Sequence, residues 1–223
     1  MLSQGERIGL TGPSGCGKTT LLHSIISRKL PEGSSSSKFD ICNNHFGYAV
    51  QRGGLFPWYS LRRNIEFAAL ESEEPQPTDQ LVEYLLDHYE LSAVAENYPD
   101  ELSGGEYQRA SLATAISSRS RTLIADEPLT GVDNSTKWKV LEQLTNDLYE
   151  RNSSLLLVSH DVDMLVFLCN KVIVLDGSPA NVIETIEIPS PAPRFRHDLL
   201  NLNFMNIREA LFRMLIDNKK TDN

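Results

Sequence analysis

Short apolar runs alternate with longer amphipathic stretches along most of this 223-residue chain. Ile8-Gly9-Leu10, Phe46 to Val50, Thr122 to Ala125, Leu155 to Val158 and Val172 to Leu175 are near-continuous apolar runs of strand length. Such runs read as strands buried on both faces. Between them, apolar residues recur at helical spacing. Thr20 to Ile26 reads as one helix; a second, capped by Ser60, runs through Leu61, Ile65, Phe67 and Ala68. A third, capped by Thr78, carries Leu81, Tyr84, Leu85 and Leu86, and a fourth runs from about Glu106 through Ala110, Leu112, Ala113 and Ile116. Ser135 to Glu150 and Val162 to Leu168 complete the series. Alternating β and α segments with apolar strands predict an α/β fold, a mainly parallel sheet core flanked by helices on both faces.

The stretch from Ser60 to Ser118 is helical throughout and lies between strands, which predicts an inserted α-helical subdomain over about 60–118. Segments 31–37 and 71–78, rich in Ser, Pro, Gly or acidic residues, predict surface loops. Asp176-Gly177 turns into a further strand, Asn181 to Ile188. The main domain is therefore expected over 1–188, and 189–223 as a C-terminal linker and helix. In that last part Pro189, Pro191 and Pro193 form the linker, and Leu200, Phe204, Ile207, Leu211 and Met214 mark a helix face that packs back on the body.

Composition narrows the function classes. Net charge is −9, and no stretch is rich in Lys and Arg, which excludes the basic face a nucleic-acid partner needs. Cys16, Cys42 and Cys169 are far apart without metal-ligand spacing, as in a reduced cytosolic protein. Neither a signal segment nor an apolar run of about 18 residues is present, so work at a membrane would be that of a peripheral subunit.

Chemistry concentrates in Gly12-Pro13-Ser14-Gly15-Cys16-Gly17-Lys18-Thr19, followed by Thr20. The run fits the phosphate-cradling loop, with a strand before it and a helix after it. Its backbone N–H groups and the helix dipole would meet a polyphosphate. Lys18 would reach the β- and γ-phosphates of ATP, and the Thr19 hydroxyl would hold Mg²⁺. Cys16 inside the loop is a small filler whose modification would block nucleotide. In an open parallel sheet, ligands sit beyond the carboxyl ends of the strands. Gln51, Asp126-Glu127 and His160 each end a strand, so all are expected in one crevice with the phosphate loop. Asp126 would hold Mg²⁺, and Glu127 would polarise the water attacking the γ-phosphate.

Leu102-Ser103-Gly104-Gly105-Glu106 places two glycines at another helix start, a second anion site with Ser103 as an added donor. If the two sites cannot reach one ATP, the second serves a partner's ATP, which implies a head-to-tail dimer.

Taken in order, Gly12–Thr19, Gln51, Leu102–Glu106, Thr122–Pro128, Asp133 and His160 resemble the motifs of ATP-binding cassette (ABC) ATPases over nearly the whole chain. Within that family the sequence is similar to importers of the nitrate/sulfonate/taurine class. The pointers are Leu55-Phe56-Pro57-Trp58, and the tail with Ile188-Pro189-Ser190-Pro191 and Arg194. The resemblance implies a P-loop NTPase that hydrolyses ATP with Mg²⁺. It implies a homodimer or paired cassette closed through the ATP sites, bound to permease subunits at the cytoplasmic face of the inner membrane. A solute-binding protein would act indirectly. It further implies that Gln51 senses Mg²⁺ and the water while its loop faces the permease, and that Ser103, Gly104 and Gly105 clasp the γ-phosphate across the dimer. Asp133 would belong to the loop between the two ATP sites, and His160 would contact the γ-phosphate.

Family members carry about one strand pair more ahead of the phosphate loop, including an aromatic that stacks on adenine. Here no Phe, Tyr or Trp precedes Phe39. The N-terminal β-strands are therefore expected to be truncated: either the start is misplaced, or ATP is bound mostly by its phosphates. Two other functions compete with the importer subunit. A soluble, non-transport ABC ATPase in a macromolecular complex would carry a long coiled-coil insertion or tandem cassettes. A P-loop kinase for a small molecule would not need Leu-Ser-Gly-Gly.

Overall fold

A computed structural model of the chain describes residues 2–27, 45–51, 53–70, 78–177, 180–189 and 193–217. The loops expected at 31–37 and 71–77 lie outside the described residues, as do Phe39, Cys42, Arg52, Ser190 and Pro191. Six strands form one sheet among the described residues: β1 (Arg7–Thr11), β2 (Gly47–Ala49), β3 (Thr122–Asp126), β4 (Ser154–Val158), β5 (Lys171–Asp176) and β6 (Asn181–Glu187), ordered β2-β3-β4-β1-β5-β6. All neighbours are parallel except β5 and β6.

Alternation along the inner strands explains the layers. Leu123, Ala125, Leu155 and Leu157 join the large cluster on one face, while Ile124, Leu156 and Val158 join Leu10, Leu22 and Ile25 on the other. The second face is covered by α1 (Lys18–Ser27), which supplies Leu22 and Ile25. The first is covered by α5 (Asn134–Glu150) and α6 (Val162–Leu168), whose apolar side chains are buried in the large cluster. A sheet apolar on both faces must be covered twice, which is what the strand runs require.

Residues 60–118 hold α2 (Leu61–Leu70), α3 (Thr78–His88) and α4 (Gly104–Ser117), with two short 3-10 turns between α3 and α4. Asn64 is buried and ties the entry to α2 together. Its amide nitrogen donates to the carbonyls of Phe56, Tyr59 and Ser60, and its oxygen accepts from the Phe56 N–H. The helical segment is not sealed off from the sheet. α4 packs on both α2 and β2, and one continuous apolar cluster includes Leu61, Leu85, Leu112 and Leu157.

Two expectations need correction. The fourth helix starts at Gly104, not near Glu106. Ser103 caps it and Glu106 is its third residue, a reciprocal capping box. At the C-terminal end, α7 (Leu202–Asp217) buries Phe204 and Leu211 against the body, with Ile207 and Met214 partly buried. Leu200 is 76% exposed, because it falls in a 3-10 turn ahead of the helix and off its stripe. Arg194 fastens this region. Its buried guanidinium donates to the carbonyls of Val166, Phe167, Cys169 and Ile188, capping the C-terminus of α6. Burial lowers its pKa to about 10.

Candidate active site

β1 lies between β4 and β5, so the chain leaving it at Thr11 enters the middle of the sheet's carboxyl edge. Residues 12–17 turn there into α1. A Cβ on Gly12 would come within 2.2 Å of the Leu175 carbonyl oxygen, and Gly17 has φ +102°. Both positions therefore demand glycine. Lys18 Nζ donates to the carbonyls of Gly12 (2.8 Å) and Pro13 (2.7 Å) and lies 3.8 Å from Cys16 Sγ. Cys16 is buried, while Ser14, Gly15, Thr19 and Thr20 are exposed around it. The lysine is thus held over the loop whose N–H groups and helix N-terminus suit an anion.

Two strands away, β3 ends in Asp126. Its Oδ2 accepts a 3.1 Å bond from the Thr19 hydroxyl, which joins the phosphate loop to the carboxylate pair. Burial raises the Asp126 pKa, against the lowering bond from Thr19, and the Glu127 charge adds to the rise. A buried carboxylate beside a hydroxyl is an oxygen donor set of the kind a hard divalent cation takes. The residues therefore fit Mg²⁺.

Glu127 follows with φ +49°, left-handed backbone rare outside glycine, a strain of order 1–3 kcal/mol. Four donors meet its carboxylate. The His160 N–H lies 3.0 Å from Oε1 and His160 Nδ1 2.7 Å, a hydrogen bond when Nδ1 carries the proton. The hydroxyls of Ser159 (3.3 Å) and Thr130 (3.4 Å) donate to Oε2. His160 follows β4, the strand between β3 and β1, which is why sheet order brings it here. The geometry ties His160 to Glu127, and its ring remains largely exposed.

Gln51 follows β2 at the far edge of the sheet, three strand spacings of about 4.8 Å from β1. Its carbonyl accepts from Gln108 Nε2 at 2.9 Å. With Leu102, Gly104, Tyr107, Gln108, Thr130 and Gly131 it lines a cleft of about 460 Å³. Gln51 thus sits with the start of α4, and Thr130 joins that cleft to Glu127.

At the α4 start the Ser103 hydroxyl donates to Glu106 Oε2 (2.6 Å) and accepts from the Glu106 N–H (3.4 Å), while the Ser103 N–H donates to the same carboxylate (2.8 Å). The two glycines differ from those of the phosphate loop. Neither has positive φ; a Cβ on Gly104 would meet nothing within 4 Å, and one on Gly105 only ordinary contacts at 3.7 Å with Gly131 and Val132. Asp133 caps α5, accepting from the N–H groups of Ser135 (3.0 Å) and Thr136 (3.1 Å), which hold its pKa below the usual range. Among the described residues, no hydrogen bond joins residues 12–20 to 103–105.

Sequence reasoning missed Ser159, Thr130, Gln108 and the Lys137–Asp161 ion pair that holds the turn after His160. A hydroxyl directly ahead of His160 was a readable signal. The bond that the Gly53 N–H donates to Tyr107 Oη (3.0 Å) was not, since the two are far apart in sequence. The Leu55–Trp58 loop forms an aromatic cluster in which Phe56 contacts Trp58, Tyr59 and Phe67, with Trp58 65% exposed.

Comparison with known proteins matches residues 1–130 to the family described as ABC transporter. The aliphatic sulfonates import ATP-binding protein of Pseudomonas savastanoi is 34% identical over 200 residues, 89% of this chain and 81% of that one. The nitrate import ATP-binding protein of Synechococcus elongatus is 35% identical over 210 residues, 87% and 74%. A bicarbonate transport ATP-binding protein of the same species is 31% identical over 98% of this chain, which spans only 34% of that longer protein. A bacterial ABC transporter cassette solved as a dimer superposes with a TM-score of 0.71 at 22% identity, over 86% of this chain and 89% of that one. That likeness bears on the fold. Among the described residues no helix is long and apolar enough to cross a membrane.

Proposed function

Because the chain belongs to the ABC transporter family, we propose that it is the ATP-hydrolysing subunit of a membrane importer, energising uptake of a small anion such as nitrate, a sulfonate or taurine. Residues 1–188 form the cassette, with the helical segment at about 60–118 inserted, and 189–223 a C-terminal linker and helix. The observation that carries the reading is the Thr19–Asp126 contact, with Glu127 directly after it. It supports one shared site, with the phosphate loop at the end of β1 and a cation-binding pair and held carboxylate reached from the end of β3, two strands away. The relatives described above are importer subunits, and none supports a soluble, non-transport role.

In this mechanism the N–H groups of residues 14–20 and the Lys18 ammonium bind the ATP phosphates. Thr19 and Asp126 would hold Mg²⁺, with Gln51 brought to it from the far strand, and the ion would supply positive charge to offset that of the phosphates. The Glu127 carboxylate accepts the proton of the attacking water, oriented by its bonds from Ser159 and His160. His160 keeps an exposed edge for the γ-phosphate. Ser103, Gly104 and Gly105 close on the ATP of a second copy, while Asp133 heads the helix between the sites. The exposed aromatic cluster at Phe56 and Trp58 supports a permease-facing surface, and with it a peripheral place on the cytoplasmic face of the membrane.

Glu127→Gln tests the reading. Steady-state hydrolysis should fall about 10²–10⁴-fold, while ATP still raises the Tm and now traps a dimer visible by light scattering. Turnover within about twofold of wild type would remove Glu127 from the role, since a factor of ten in rate is only about 1.36 kcal/mol.

A further inference from the structure

Glu90 stands where a helix would ordinarily use glycine. α3 ends in a paired-bond cap: the Leu91 N–H donates to the Leu86 carbonyl (2.7 Å), and the Glu90 N–H to the Asp87 carbonyl (3.0 Å). The residue between these bonds must adopt left-handed backbone, and glycine is the usual choice there. Glu90 does so with φ +53°. A strained glutamate at a position that suits glycine calls for a reason in its side chain.

That side chain reaches across to α5. One carboxylate oxygen pairs with Lys139 and the other accepts from the Thr136 hydroxyl at 3.2 Å. The Glu90 carbonyl accepts from Arg109 of α4 at 3.3 Å. Arg109 lies beside the start of α4: a Cβ on Gly105 would be 3.8 Å from its Nη1 and 3.7 Å from Gly131 O and Val132 Cα. One residue thus links the end of α3, the glycine start of α4, and the first turns of α5, just behind the Gly131–Asp133 turn.

We propose that Glu90 is a positioning residue. It sets Ser103–Gly105 at the height and angle needed to receive the ATP of a second copy. The inference rests on the reading that those residues close on a partner's nucleotide. Glu90 touches neither nucleotide nor reacting atoms.

The test uses the full chain carrying Glu127→Gln, titrated with MgATP and followed by light scattering. Glu90→Gly removes the strap and leaves the residue type that best suits the backbone, so Tm should hold or rise. The ATP concentration giving half-maximal dimer should nonetheless increase by about three- to tenfold, the scale of losing a partly exposed ion pair with its attendant hydrogen bonds. Stabilisation of the monomer by ATP, measured at dilute protein, should not change. Glu90→Lys combined with Lys139→Glu should recover part of the loss. A purely structural Glu90 would lower Tm and leave the midpoint alone. If the parent dimerises and both Glu90 variants match it within twofold, the inference falls and the shared-site reading stands. If the parent does not dimerise, the shared-site reading falls and this inference with it.

Discussion

Two helix starts in this molecule are built from the same materials, glycine and a hydroxyl, yet they are made for different things. At the start of α1, glycine is dictated from within: Gly12 would collide with Leu175 and Gly17 has φ +102°. Lysine and threonine there are already bonded to the chain's own groups, Lys18 to two carbonyls and Thr19 to Asp126. At the start of α4 nothing in the chain asks for glycine. Gly104 has ordinary backbone and open space around it. Glycine in a helix is less favourable than alanine by about 0.5–1 kcal/mol, so its place at Gly104 needs a cause outside the protomer. Close approach of another molecule is such a cause. The first site is shaped by its own fold, the second for a visitor.

Paired substitutions would break that contrast. Gly17→Ala should destabilise the protein by about 1–2 kcal/mol through strained backbone and abolish the rise in Tm that ATP produces. Gly104→Ala should hold or slightly raise Tm and leave monomer ATP binding unchanged, yet lower turnover at least about tenfold by blocking the approach. Equal effects on Tm from the two changes would erase the distinction.

The second site can be probed for how much of it is scaffold. Ser103→Ala removes the capping box from α4, which typically weakens a fold by about 1 kcal/mol. Restoring the cap alone, with Ser103→Asp, should recover Tm but not turnover, because the added charge would face a phosphate. Recovery of both in urea melts and ATPase assays would leave Ser103 as a cap only.

The smallest effect separates stability from chemistry at the first site. The Asp126 pKa is raised above its ordinary value of 3.8 by burial. The folded state therefore holds its proton more tightly than the unfolded one. As pH rises from the ordinary value through the raised one, this group lowers stability, and the penalty is fully present above that window. Asp126→Asn should give a small increase in Tm at neutral pH that vanishes below the ordinary carboxylate range, while hydrolysis is lost. A fall in Tm at neutral pH would mean that the charge is well matched after all.

What could be read from sequence follows this same divide. The phosphate loop, Asp126-Glu127 and His160 were legible because each polar group directly follows an apolar strand, and strand ends in a parallel sheet share one edge. Ser103-Gly104-Gly105 was legible as a helix start with Ser103 as a donor, yet the helix itself was expected only from about Glu106, and the capping box between Ser103 and Glu106 was not read. Other features depend on pairing across long stretches. That Glu90 would reach Lys139 and Thr136 follows from how the end of α3 docks on α5. No local pattern encodes that docking. Leu200 belonged to the right periodicity, but the chain had not yet begun its helix there.

The central place of β1 has a consequence for how the protein is made. Ile8 pairs with Leu156 on one side and with Lys171 on the other. The strand leading into the phosphate loop therefore leaves the ribosome well before either of its neighbours. About 160 residues must be synthesised in between, which at typical rates takes roughly 10–30 s. Through that interval the glycine loop has no sheet to hang from and Thr19 has no fixed Asp126 opposite it. A nascent chain can therefore grip nucleotide only once β4 and β5 have closed around a strand that has been waiting for them.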